Sequence, residues 1–188
     1  SLASWAAEHN FVHQPNAKGQ IHQEYDHLQF FQQGSEHQTI ARMSKQNPDD
    51  ATVIADCVVN LDGQEMTIFC YLFENTGISL PTMHLVKRTS TLFALLRGSS
   101  LSPISLPSNL SDTHSALCAQ AQWGDRVLKS SAVNDILSEM DTSTILWMES
   151  NDSHVLLVTT EYSDKPLQLG PKMFRHFATF RYKKSGRS

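Results

Sequence analysis

Apolar and polar positions alternate most regularly in TVIADCVVNLDGQEMTIFCYLFE, residues 52–74, where Asp62-Gly63 supplies the positive-φ pair of a two-residue hairpin turn. With Leu61 opposite Gln64, the register sets Val59 against Met66, Cys57 against Ile68, Ala55 against Cys70 and Val53 against Leu72. Every member of that face is apolar, so turn chemistry and pattern agree. A second hairpin is predicted in TILWMESNDSHVLLVTTEY, with Asn151-Asp152 at the turn, Trp147 facing Leu156, Ile145 facing Val158 and Glu149 facing His154. HQTIARMSK and PTMHLVKR read as further strands, TLFALLRG as a strand or short helix, and ALCAQAQW as a strand.

Helical spacing appears in three places. Leu2, Trp5 and Ala6 predict a short helix over residues 2–10, and SSAVNDILSEMD a helix capped by Ser130 or Ser131. In LGPKMFRHFATFRYKK, Met173, Phe177 and Phe180 recur at i, i+4 and i+7, with Pro171 suited to a first turn, which predicts a helix from about 171 to 182. IHQEYDHLQFFQQG is ambiguous, suiting a helix to about residue 27 while LQFFQQ equally suits a short strand, and GSSLSPISLPSNLSD reads as a Ser/Pro-rich loop. The expected fold is a single α+β domain over residues 1–188, an antiparallel sheet built partly from two hairpins with helices covering one face.

Composition narrows this picture. A chain of 188 residues and 21.1 kDa is large enough to bury roughly two thirds of the surface its unfolded form exposes. Cys57, Cys70 and Cys118 are odd in number and lack C-x-x-C spacing, which suggests core thiols in a reducing compartment. In the hairpin register Cys57 and Cys70 lie diagonally, with Cα atoms about 7 Å apart, at the edge of disulfide reach. There is no apolar run of membrane-spanning length and no signal-peptide pattern. The chain starts Ser1-Leu2, which raises the expectation that a tag, targeting or membrane segment preceded it.

Charge is divided unevenly. Residues 1–171 hold 9 Lys/Arg against 19 Asp/Glu, whereas residues 172–188 hold Lys172, Arg175, Arg181, Lys183, Lys184 and Arg187 with no acid. Set beside Phe174, Phe177, Phe180 and Tyr182, these cations suggest contact with an anionic membrane surface, the aromatics entering the interface. Lys172, Arg175, Arg181, Lys183 and Lys184 are the candidate contacts. The acidity of the remainder opposes nucleic-acid binding.

Candidate chemistry is sparse. His9 and His13 are four apart and His22 and His27 follow, with Glu24 and Asp26 nearby, so a metal-dependent enzyme is one alternative reading, a structural subunit of a larger complex being another. The metal reading requires at least three of these side chains to converge. The catalytic H-E-x-x-H form is absent, and Pro15 breaks the helix that would align the first pair. No G-x-S-x-G, S-x-x-K, G-x-G-x-x-G or P-loop pattern occurs, so no cofactor is expected and nucleotide chemistry is disfavoured. Glu149 and His154, cross-strand in the predicted register, are the remaining acid/base candidates.

The order SWAAEHNF, a hairpin pair, MHLVKR, ISLPSNLSDTHSALCAQAQ, AVNDILSEM, TILWMESNDSHVLLV and a terminal helix resembles an uncharacterised group of bacterial domains of unknown function. These domains often stand behind one or two N-terminal transmembrane helices. The likeness spans most of the chain but consists of hydrophobic patterns without a catalytic signature. It implies a membrane-tethered soluble domain and no reaction; taken with the Ser1-Leu2 start and the basic aromatic C-terminus, it leads to the expectation of a non-enzymatic binding module at the cytoplasmic side of the inner membrane, with an anionic membrane surface or a membrane protein as partner. This chain departs from the group in being rich in Gln and His where those domains are richer in Arg and Gly.

Overall fold

The computed structural model describes residues 2–15, 19–33, 35–61, 63–88, 91–95 and 99–180. Its strands are β1 (Val12–Pro15), β2 (Ser35–Gln46), β3 (Asp50–Leu61), β4 (Gln64–Asn75), β5 (Leu80–Lys87), β6 (Ser102–Ile104), β7 (His114–Cys118), β8 (Ile145–Asp152) and β9 (His154–Thr159). They form one antiparallel sheet in the order β1-β2-β3-β4-β9-β8-β5-β7-β6. The helices are α1 (Leu2–Glu8), α2 (Ile21–Glu24), α3 (Thr91–Leu95), α4 (Ser108–Ser111), α5 (Ala121–Lys129), α6 (Ser131–Glu139) and α7 (Lys165–Thr179). The α+β class and the antiparallel sheet agree with the sequence pattern. The sheet is much larger than two hairpins.

The β3–β4 hairpin adopts the predicted register, with Leu61 opposite Gln64, Cys57 opposite Ile68 and Ala55 opposite Cys70. Gly63 takes φ +78°, as the turn demands, while Asp62 lies outside the described residues. Cys57, Cys70 and Cys118 are free, buried thiols. Cys70 is pushed well up by its hydrogen bond with Cys57 and by burial; Cys118 is raised by burial. Both are therefore poor nucleophiles at neutral pH.

The second hairpin corrects its prediction. The turn is Asp152-Ser153, Asp152 takes φ +53°, and Asn151 pairs with His154. Trp147 consequently faces Val158, and Glu149 faces Leu156. A slip of two residues keeps each side chain on its own face, yet it carries Glu149 away from the exposed turn into the interior.

Both faces of the sheet are covered, where one was expected. On the first, Ile54, Tyr71, Phe73, Met83, Leu85, Met148 and Leu157 pack against α1, α4, α5, α6 and α7. On the second, Val53, Cys57, Cys70, Leu72, Trp147, Leu156 and Val158 lie beneath a strap of residues 21–32, which combines α2 with a 3-10 turn at Gln29–Gln32, and beneath Leu92 of α3. The strap contributes Ile21, Tyr25, Leu28, Phe30 and Phe31. Double burial explains the runs of consecutive buried residues in β8 and β9. Both edges of the sheet are short strands, which limits pairing with other chains.

Other boundaries also differ. ALCAQAQW divides, the strand stopping at Cys118 and α5 beginning at Ala121, because Trp123, Val127 and Leu128 are the inward positions of a helix. α7 begins six residues before Pro171, with Pro166 in its first turn, leaving Pro171 inside the helix, where it cannot donate to the carbonyl of Leu167. The Ser/Pro-rich loop contains β6 and α4, and VHQP of the histidine-rich start forms edge strand β1. Ser130 stands at the N-cap of α6 without a side-chain capping bond.

Gly170 sets how closely α7 approaches the sheet: a Cβ there would lie 2.0 Å from Cζ of Phe73. Alanine ordinarily stabilises a helix interior by about 1 kcal/mol relative to glycine, but here overpacking reverses the sign and costs about 1–3 kcal/mol or more. Gly170→Ala is expected to lower the unfolding midpoint in urea, and Phe73→Leu in the same chain to recover part of the loss. An unchanged or raised midpoint for Gly170→Ala would contradict the close approach.

Candidate functional site

α7 is held against the sheet by Met173, Phe174 and Phe177, each at most 4 % exposed. With these aromatics in the core, Lys172 and Arg175 face outward. Neither makes a hydrogen bond or ion pair with the described residues. The loop preceding α7 is fixed by Tyr71, whose hydroxyl donates to the Ser163 carbonyl at 2.8 Å and accepts from the Ser163 amide at 3.0 Å. Burial holds this phenol up to about 12, so it remains a donor throughout the neutral range.

Between α7 and the adjoining ends of β3 and β4 lies a cleft of about 110 Å³, lined by Asp50, Ala51, Thr52, Phe73, Glu74, Asn75, Pro171, Phe174 and Arg175. One water needs about 10–15 Å³ on this measure, so the cleft admits a group of several non-hydrogen atoms. Its wall of β-strand ends is fastened by local bonds. Asn47 Nδ2 donates to Asp50 Oδ1 at 2.6 Å, and the Thr76 amide donates to the Asp49 carbonyl. A second crevice, of about 20 Å³ and lined by His13, Met43, Ile54, Asp56, Phe69 and Tyr162 among others, has room for about one water. Burial raises the Asp56 carboxyl there.

On the opposite face, Glu149 is fully buried and both carboxylate oxygens are engaged. Oε1 accepts from the Gln29 amide at 2.6 Å, and Oε2 from the Phe30 amide at 3.1 Å and from Trp147 Nε1 at 3.0 Å. His84 Nε2 stands 3.5 Å from Oε1, with its ring against the Trp147 indole. The donors are the otherwise free amides at the start of the 3-10 turn, so this carboxylate secures the strap. Neither described cleft reaches it.

His154, predicted to face Glu149, instead accepts Glu74 as its partner, with Nε2 2.7 Å from Glu74 Oε2, and its Nδ1 is 3.3 Å from His27 Nε2. The remaining histidines of the metal reading disperse. His9 stacks on Trp5 at 4.1 Å, His13 sits on edge strand β1, and His22 stacks on His37. Among the described residues, no three His, Cys, Asp or Glu side chains gather to hold a metal. Glu24 is occupied by Arg42 at 2.6 Å, which holds its carboxyl below the usual range. Of the basic candidates, Lys172 and Arg175 stand on α7, while Arg181, Lys183 and Lys184 lie outside the described residues. No helix among the described residues is long and apolar enough to cross a membrane.

The cleft was missed in the sequence because its walls, residues 50–75 and 171–175, are far apart in the chain. Its one local signal was Arg175 beside the apolar helix stripe. Glu149 was singled out for a different role, since a two-residue error in register hid its burial.

The architecture is that of a wide antiparallel sheet covered by helices and a strap. No family model and no curated protein matches the chain. Among solved structures it is similar to the crystal structure of the mycobacterial trehalose monomycolate transport factor A, TtfA, with a TM-score of 0.64 over 94 % of this chain and 90 % of that one. The two are 9 % identical, so the likeness is one of fold.

Removing the Glu149 carboxylate leaves two buried donors and one part-buried donor unpaired, at about 1–3 kcal/mol for each buried one. Glu149→Ala is expected to cost about 3 kcal/mol or more in urea unfolding, and Glu149→Gln less because one acceptor remains; a neutral Glu149→Ala would refute the strap assignment.

Stability is also expected to depend on His114, which lies buried with Nε2 2.9 Å from the Ile145 carbonyl. Burial lowers its pKa from 6.5, with Lys87 and Arg88 adding to the effect. The unfolded chain therefore takes the proton first, so the His114 contribution is present above pH 6.5 and is lost as pH falls through and below that value. Unfolding free energy measured from pH 7 to pH 5 should fall, and less steeply in His114→Asn; equal slopes would contradict this.

Proposed function

We propose that this domain is a non-enzymatic binding module working at the anionic, cytoplasmic surface of a bacterial membrane, where it takes part in handling lipid or lipid-linked molecules. The observation that carries the reading is the division of α7. Its aromatic side is buried in the core while Lys172 and Arg175 project, uncompensated by the described residues, at the entrance to a basic C-terminal segment. Arg181, Lys183, Lys184 and Arg187 extend the same charge. Because Phe174 and Phe177 belong to the core, the contact is electrostatic, not the aromatic insertion that the sequence suggests.

Two further points support the reading. A protein with this fold is named as a trehalose monomycolate transport factor. The order of sequence elements also resembles that of membrane-tethered bacterial domains. The carboxylate of Glu149, the buried acid nearest a histidine, is taken up by the Gln29 and Phe30 amides of the strap, which favours binding over catalysis.

Each Lys or Arg near an anionic bilayer contributes about 1 kcal/mol. Lys172→Gln with Arg175→Gln is therefore expected to weaken association with phosphatidylglycerol vesicles by about 2 kcal/mol, roughly thirtyfold, and added salt to weaken the parent protein similarly. Cosedimentation measures this. Absence of binding by the parent chain, or binding unaffected by both substitutions and by salt, would overturn the membrane-surface reading.

A further inference from the structure

The cleft beside α7 carries both signs of charge. Arg175 stands on the helix wall with its planar fork of donors free of protein partners among the described residues. On the strand wall, Asp50 has Oδ1 engaged by Asn47 at 2.6 Å, leaving Oδ2 for another donor. Glu74, the other carboxylate of the lining, is already paired with His154 at 2.7 Å. Thr52 and Asn75 add neutral polar groups, and Phe73, Phe174 and Pro171 supply an apolar surface.

A simple anion would meet repulsion from Asp50, and a simple cation would meet it from Arg175. A short zwitterion satisfies both. Guanidinium matches the paired oxygens of a phosphate in bidentate fashion, and a primary ammonium offers the N–H donors that a carboxylate accepts. Two methylenes joining these groups would lie along the apolar surface. We propose that this cleft is a subsite for the phosphoethanolamine group of a membrane lipid, with Arg175 on the phosphate and Asp50 on the ammonium. This rests on the membrane-surface reading and specifies its ligand. It also accounts for a carboxylate beside an otherwise basic helix face.

The test is an amide NMR titration of the full chain with glycerophosphoethanolamine, run beside glycerophosphocholine and inorganic phosphate. Shifts are expected to concentrate at residues 50–52, 73–75 and 172–175. Asp50→Asn and Arg175→Gln, both at exposed side chains, should each weaken binding about tenfold or more, with unchanged amide positions in β5 and β7 reporting an intact fold. The choline ester has the same charges but no ammonium N–H, and should bind about tenfold or more weakly. Equal binding of the two esters, shifts away from the cleft, or parent-like binding by both variants would overturn the subsite.

Vesicles separate the two claims. Binding to phosphatidylglycerol with no response to the ethanolamine ester removes the subsite and keeps the membrane reading. Specific binding of the soluble ester without any vesicle binding keeps the chemistry of the cleft, and overturns both the lipid as its source and the membrane reading.

Discussion

A sheet of nine strands presents two apolar faces, and neither can be left to water. Helices cover the first face through Met173, Phe174, Phe177 and their neighbours. The second is closed by a strap only a dozen residues long, with too little regular structure to hold itself in place. Its position depends on the carboxylate of Glu149, placed by β8 beneath the 3-10 turn and bound to two strap amides and the Trp147 indole. Burying a carboxylate costs several kcal/mol unless its oxygens are engaged; here donors on the strap and its own strand supply that compensation. Other fastenings are the approach of His27 to His154 on β9 and, toward the strap's first residues, the Ile21 amide donating to Thr39 Oγ1, Thr39 donating its amide to Gln20, and Arg42 gripping Glu24.

This arrangement determines which polar groups the surface displays. His84 lies beside Glu149 under the strap, with its ring against the Trp147 indole. The surface at α7 differs because Gly170 lets the helix settle on Phe73, and the aromatics on that side sink into the core. Its polar residues are then displayed along a cleft with the ends of β3 and β4. Lys172 and Arg175 acquire their outward position from the same packing that stabilises the fold.

Local signals in the sequence were sufficient for much of the architecture. Asp62-Gly63 with alternating apolar neighbours determined the register of β3 and β4, and the stripe Met173, Phe177, Phe180 identified α7. Signals failed where the outcome depended on distant parts of the chain. Asn151-Asp152 resembles a hairpin turn as well as Asp152-Ser153 does, and because the two registers leave every side chain on the same face, the apolar pattern does not distinguish them; the structure has the latter, with Glu149 buried. Pro171 resembles a helix start until Pro166 is seen to occupy that place. Trp123, Val127 and Leu128 lie beyond an apolar strand that obscures their helical spacing. The strap was partly visible as an apolar stretch, but its anchor is more than a hundred residues away. The cleft was invisible for the same reason, since Asp50 and Arg175 meet only in the folded chain.

Amide hydrogen exchange at Gln29 and Phe30 tests the central claim most directly, because these two N–H groups are the strap's link to Glu149. If the carboxylate holds the strap as an integral part of the folded sheet, both amides should exchange only through global unfolding, with protection matching that of the β4 and β9 amides. Fast exchange at Gln29 and Phe30 while β4 and β9 remain protected would show that the strap opens independently, and would contradict the account.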